Sequence, residues 1–367
     1  MQESVDRSNL LSVHIGDIGI RKHFEEEFRK NLEHKDLANG ELILPPLSRF
    51  FRERYIGKVP SLIIDAGANI GETSAILLGL FSSINCIRHY LMYSGLSPAA
   101  AQHAISRACP KISSRILAVE AQISNIRVLE KRGQAECWFE ANWEVHHFGL
   151  SKEATINQTT TFFGSDRAGF QQGSLDARFS GGKSRPEVVR LKTIDMFLED
   201  LNLTTNPVYL LKIDVEGFDG WVLQGAVETL KRQEVKFILF EYNASWRATD
   251  VSLKDIVEWL YSLRYHCFLI MPVSGLIPLY RQFWSEFYET WRWSNVFCGR
   301  ESDQDVTAMF SFMSEVSAQD VMNEYKNGSP EPGGRREVLD EYIRRRRRCY
   351  GCGKDASSAL HTDNIRT

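Results

Sequence analysis

The sequence predicts an α/β fold, a mainly parallel sheet with helices on both faces. Three observations carry this. Short apolar runs of buried-strand type recur at 59–65 (VPSLIID), 115–120 (RILAVE), 208–215 (VYLLKIDV) and 235–241 (VKFILFE). Helical patterns separate them, the alternation that marks a parallel sheet covered on both sides. A glycine turn joins the first strand directly to the first helix.

The elements follow in order. Residues 1–58 read as an N-terminal helical extension: 21–37 is charged and helix-prone, and Pro45 and Pro46 break the chain behind it. The core domain is expected over 59–300. Its first strand runs into AGANIGETSAILLGL, where Gly67 and Gly71 precede a helix with Ile76, Leu77 and Leu80 on its apolar side. Residues 82–114 form an insertion, in which Ser97 and Pro98 ahead of AAAQHAISRA suggest a capped helix. After the second strand the pattern predicts a helix at 123–132, strands near 144–150 and 155–163, and a polar loop over 164–184. A strand at 188–191 and a short helix at 193–201 come next. A helix at 221–232 joins the two strongest late strands, and another at 253–263 leads to strands at 265–271 and 294–298. Residues 301–367 make a helical and then disordered tail, with linker composition at 326–334 and arginines at 344–348.

The 367 residues are 43% hydrophobic and 25% charged, with a net charge of -3. That is ordinary for a folded domain and carries no pull toward nucleic acid or an anionic membrane. No run reaches the roughly 18 apolar residues of a membrane span, and no basic-then-apolar leader opens the chain. The seven cysteines are irregularly spaced, which fits the reduced thiols of a cytoplasmic protein better than a disulfide framework. Cys349 and Cys352 have C-x-x-C spacing but lack the second ligand pair of a zinc site.

The segment DAGANIG covers 65–71. Glycine is required where backbone must approach a ligand or adopt positive φ, and open α/β sheets bind ligands at the carboxyl ends of their strands. The arrangement is Rossmann-like. A dinucleotide site would show G-x-G-x-x-G, but here Asp65 and Ile70 occupy the first and third glycine positions. A carboxylate would repel a pyrophosphate and tolerate a cationic sulfonium, so the turn favours S-adenosylmethionine over a nicotinamide. The plainer alternative is a helix-packing turn with an N-cap aspartate. Glu120, ending the second strand, stands where such folds hydrogen-bond ribose hydroxyls. It lies 55 positions beyond Asp65 (120 − 65), where about 20 is usual, and the insertion accounts for the excess.

Lys212, Asp214 and Glu216 alternate with apolar residues at the carboxyl end of a central strand. Period two places them on one face if the strand runs that far. Buried charges are costly unless paired, so these three call for an explanation. One reading is a base or substrate-gripping cluster, joined by Glu241 from the end of the neighbouring strand. The other, which stands equally for Lys212, is a self-satisfied Lys–Asp–Glu network. Methyl transfer to an alcohol needs a group to accept the hydroxyl proton. Asp214 or Glu216 is the first candidate and His147 the second. Magnesium could bridge Asp214, Glu216 and Glu241, since oxygen ligands suit it, but nothing in the sequence requires it. Trp284, Trp291 and Trp293 cluster with Phe283 and Tyr288, in the core or against a ring-shaped substrate.

With these residues together, the chain resembles the FkbM family of methyltransferases. The resemblance rests on SLIIDAGANIGETS, ILAVEAQISNIRVLEKR, VVRLKTIDMFLEDLNL and VYLLKIDVEGFDGWVLQGAVETLKRQEVKFILFEYN. It covers about 60–300 with 82–114 as a gap. It implies a class I methyltransferase fold with a seven-stranded sheet, and S-adenosylmethionine as methyl donor. It implies cofactor contacts at Asp65, Gly67, Asn69, Gly71 and Glu120, with Glu72 behind the turn counted among them, and an active site at Asp214 and Glu216. The expected activity is O-methylation of a sugar, glycan or small natural product, with a protein that binds cofactor without turnover as the alternative. Where the family usually has proline after the ribose acid, this chain has Ala121 and Gln122.

Overall fold

A computed structural model describes residues 62–82, 114–169, 173–179, 185–271 and 275–301. The expected N-terminal extension, the insertion helix after Ser97, and the tail with its arginines and Cys349–Cys352 pair lie outside the described residues.

β1 (Leu62–Ala66) is buried along its whole length and feeds α1 (Glu72–Phe81). β2 (Arg115–Glu120), α2 (Ile123–Ala135) and β3 (Trp143–His147) follow. The chain then leaves the main sheet to form a small one from β4 (Gly149–Leu150), β5 (Thr159–Gly164) and β6 (Arg185–Lys192). It returns through α3 (Ile194–Asp200), capped by the Thr193 hydroxyl, which accepts from the Met196 N–H. β7 (Val208–Ile213), α4 (Asp219–Gln224), α5 (Val227–Lys231) and β8 (Val235–Tyr242) build the centre. α6 (Leu253–Ser262) starts with a capping box between Ser252 and Asp255 and buries Leu253, Ile256, Val257 and Leu260. β9 (Tyr265–Met271), β10 (Gly275–Pro278) and β11 (Ser294–Arg300) complete the sheet.

Among the described residues the main sheet has the order β10-β9-β11-β8-β7-β1-β2-β3. The neighbours from β8 to β3 pair in parallel, and β11 is antiparallel to both β8 and β9. The expected seven strands are therefore present, with β10 as an eighth at the edge, antiparallel to β9. Alternation splits the core into two layers. Leu62, Ile64, Leu211, Ile238 and Phe240 pack on one face. Ile63, Ile116, Leu210, Phe237 and Leu239 pack on the other.

Three expectations are corrected. The strand expected at 144–150 is divided at Phe148: β3 pairs with β2, whereas β4 pairs with β6. The single helix expected at 221–232 is two, separated at Gly225 and Ala226. A Cβ on Gly225 would sit 2.2 Å from the Ser151 carbonyl oxygen, so the chain bends around this close approach. The cysteines are not all reduced. Cys267 and Cys298 face each other across β9 and β11 and form a disulfide, and Cys137 is also disulfide-bonded. The cysteine argument for a reducing compartment therefore lapses. Among the described residues no helix is long and apolar enough to cross a membrane.

Candidate active site

β1 and β7 run side by side with Asp65 opposite Lys212. Asp65 is fully buried; its Oδ2 accepts from Ser74 Oγ at 2.6 Å and its Oδ1 lies 3.1 Å from Lys212 Nζ. Lys212 also donates to the Gly67 carbonyl at 2.9 Å and sits 3.7 Å from Asp214 Oδ2. Burial alone would lower the pKa of this ammonium, but the charges of Asp65 and Asp214 overcome that and raise it. The ion pair thus clamps the glycine turn to the end of β7. Gly67 has φ 78°, and a Cβ there would stand 1.8 Å from the Asp214 carbonyl oxygen, so no side chain fits. Gly71 serves α1 packing: its Cβ would meet Leu129 and Trp138 at 2.8 Å.

A cavity of about 450 Å³ opens at the carboxyl ends of β1, β2, β7 and β8. Asn69 and Glu120 line one side, Asp214, Glu216 and Glu241 the other, and Gly67 lies between them against the Asp214 backbone. The structure brings these six sequence-predicted residues together. Asp65, Gly71, Glu72 and Lys212 do not lie on the wall: Asp65 and Lys212 form the clamp behind it, Gly71 packs against α2, and Glu72 is exposed. His147 is exposed and bonds the Ala121 carbonyl through Nε2 at 2.9 Å, off the wall. Among the described residues no three His, Cys, Asp or Glu side chains form a group that could hold a metal ion.

On the first side, Glu120 Oε2 accepts the Asn69 N–H at 2.8 Å and Oε1 the Gln122 N–H at 2.7 Å. Burial pushes this carboxyl up to about 7, against the pull of those N–H groups. Asn69 Oδ1 is buried beside it with no partner among the described residues, an acceptor that costs free energy unless a ligand satisfies it. These groups fit an adenosyl ligand: Glu120 for ribose hydroxyls, Asn69 Oδ1 for a donor, and the bare backbone of Gly67 for close approach.

On the second side, β7 stops at Ile213, so the one-face alternation ends before Asp214. The Asp214 N–H instead donates to the Ala66 carbonyl at 3.0 Å, and Glu216 takes φ 56°. Glu241 keeps its place in β8 and accepts from Asn243 Nδ2 at 2.6 Å. The sequence reading missed Asp219. It is fully buried at the start of α4, with Oδ2 accepting from the Gly217 N–H and Oδ1 from the Glu241 N–H, both at 3.3 Å. An acid in the first helical turn directly after the charged strand end was the available signal. Burial, and then the charge of Asp214, push Glu216 up to about 8 and Asp219 up to about 7, and raise Glu241 well above the usual range. Of the tryptophans, Trp291 and Trp293 stand on the wall, while Trp284 is core.

A parallel sheet with antiparallel β11 inserted between β8 and β9, a glycine turn after β1 and an acid ending β2 define a class I methyltransferase. A model of the methyltransferase FkbM domain matches residues 65–267. The chain belongs to that family. Among solved structures it is similar to a methyltransferase FkbM from Methylobacillus flagellatus KT, at 16% identity and TM-score 0.34, over 65% of this chain and 43% of that one. It is also similar to an rRNA methylase from Streptococcus thermophilus, at 11% identity and TM-score 0.30, over 69% of this chain and 93% of that one. The chain thus spans less than half the length of the first of these. No curated protein matches it.

Proposed function

We propose that the chain is an S-adenosylmethionine-dependent O-methyltransferase acting on a hydroxyl of a sugar, a glycan or a small natural product. The observation that carries this is one cavity lined both by a ribose-type acid with N–H support and by three crowded carboxyls, Asp214, Glu216 and Glu241. When bound, S-adenosylmethionine supplies a methyl group already activated for in-line displacement. Glu120, Asn69 and Gly67 would hold it. What remains for the protein is to place an acceptor oxygen in line and to take its proton.

Glu216 is the group for that proton. It lines the cavity, no hydrogen bond to its carboxyl competes among the described residues, and its position near 8 suits exchange close to neutrality. As the acceptor oxygen gains the methyl, its proton passes to the Glu216 carboxylate. Burial, and then the charges of Asp214 and Asp219, keep that carboxylate basic. Trp291 and Trp293 offer flat apolar surface for a ring-shaped acceptor.

The test is transfer of labelled methyl from S-adenosylmethionine to a pool of glycans and small alcohols. Turnover that is lost in Glu216→Gln, with S-adenosylhomocysteine still binding, is the expected result. Binding of the cofactor with no turnover on any hydroxyl acceptor would overturn the proposal.

A further inference from the structure

Gln122 and Asn125 are amide side chains buried at the N-terminus of α2, exposed to only 1% and 2%. Buried amides need partners, and these find theirs in their own helix turn and in one distant stretch of chain. Gln122 Oε1 accepts the Ser165 N–H at 3.0 Å, and Nε2 donates to Ser124 Oγ at 2.6 Å and to Asn125 Oδ1 and the Arg167 carbonyl, both at 3.3 Å. Asn125 Oδ1 also accepts the Gly169 N–H at 2.9 Å, and Ser124 Oγ donates to the Ser165 carbonyl at 2.8 Å. Four of these bonds reach residues more than forty positions away and satisfy the backbone of a turn that has no strand partner among the described residues.

The packing agrees. A Cβ on Gly164 would stand 2.8 Å from Gln122 Oε1, and one on Gly173 would stand 2.7 Å from Phe162, so glycines make room for the amide and the ring. Phe163 and Ser174 exchange backbone bonds of 2.8 and 3.2 Å, which fold the stretch back on β5. Phe162, Gly173 and Leu175 then stand on the cavity wall with Gln122 and Asn125, next to Glu120. Asn125 also hydrogen-bonds the Glu120 carboxyl.

We infer that Gln122 and Asn125 are positioning residues that dock residues 165–169 beside the cavity wall formed by Phe162, Gly173 and Leu175 on its nucleoside side, and so set cofactor affinity. This rests on the proposed function for the identity of the ligand. The docking itself stands on the hydrogen bonds and the glycine packing.

The test compares the full chain with Gln122→Ala in three measurements: calorimetric binding of S-adenosylhomocysteine, melting temperature without ligand, and mapping of the first tryptic cuts. Affinity is expected to fall about tenfold, the loss of roughly 1.4 kcal/mol of held geometry. Cutting after the exposed Arg167 should accelerate ahead of other sites, with the melting temperature within about 3 °C. With an acceptor in hand, the KM for cofactor should rise by the same factor while kcat stays within about threefold. Unchanged affinity, or weaker affinity without faster cutting after Arg167, overturns the inference. Should Gln122→Ala fail to fold, Ser124→Ala removes two of the bonds more gently and is read the same way. If the full chain binds no adenosyl compound, the proposed function fails, and the Arg167 cut still decides the docking.

Discussion

The two sides of the cavity bury similar groups and treat them differently. Glu120 sits among N–H donors, each oxygen with one of its own, and burial moves it only to about 7. Glu216 has no such donors among the described residues, and burial, then Asp214 and Asp219, push it up to about 8. The nearby cation, Lys212, is already engaged by Asp65 and the Gly67 carbonyl. The difference teaches that burial alone does not assign a role. Hydrogen bonds make a carboxyl a fixed acceptor for a ligand, and burial beside like charges makes it a proton carrier.

The largest effect should come from the clamp between the two sides. Lys212→Met leaves Asp65 buried and unpaired, and is expected to cost about 3–5 kcal/mol in denaturant unfolding. Pairing it with Asp65→Asn should recover a good part of that, and no recovery would break the assignment. Next, Glu120→Ala should weaken S-adenosylhomocysteine about tenfold or more, from the loss of hydrogen bonds to a charged group worth about 1.5–3 kcal/mol. Glu216→Ala should change that affinity far less, and equal losses would erase the distinction between the sides.

A third prediction uses pH. Glu216 has a folded pKa raised above its ordinary 4.5, to about 8. The folded state therefore binds more protons between those values, and its stability falls as pH rises from about 4.5 to about 8. Glu216→Gln should flatten that slope in unfolding measured across the window. Methyl transfer should run oppositely, rising with pH toward about 8 as the base ionises. The smallest effect is at the rim. Trp293, 45% exposed, should tolerate alanine with stability within about 0.5 kcal/mol. Acceptor KM should nevertheless rise, and an unchanged KM would remove it from the acceptor surface.

The strands β1, β2, β7 and β8 were legible because a strand buried on both faces needs a largely apolar run, and LII in β1 and FILF in β8 provide it. Gly67, Glu120, Asp214, Glu216 and Glu241 were legible for the same reason, since each ends or follows such a run. The break at Gly225 was not, because its cause is the Ser151 carbonyl, more than seventy positions upstream. The Cys267–Cys298 bond was hidden likewise, since the two meet only once β9 and β11 pair. Gln122 looked like a departure from a family proline, and its partners lie in what read as a plain polar loop. Asp65 could be read as a ligand group because the sequence does not show that Lys212 and Ser74 reach it first.

The placement of β11 has a consequence for how the chain is made. The strand emerging last among those described lies between β8 and β9, not at a rim. While a ribosome is still translating up to Ser294, β8 has one side unmatched, and the β9–β10 hairpin has no described strand that pairs it with the rest of the sheet. Translation must pass Arg300 before the two parts can be stitched together. A truncation just short of that point should leave a nascent chain dependent on chaperones, however intact its glycine turn.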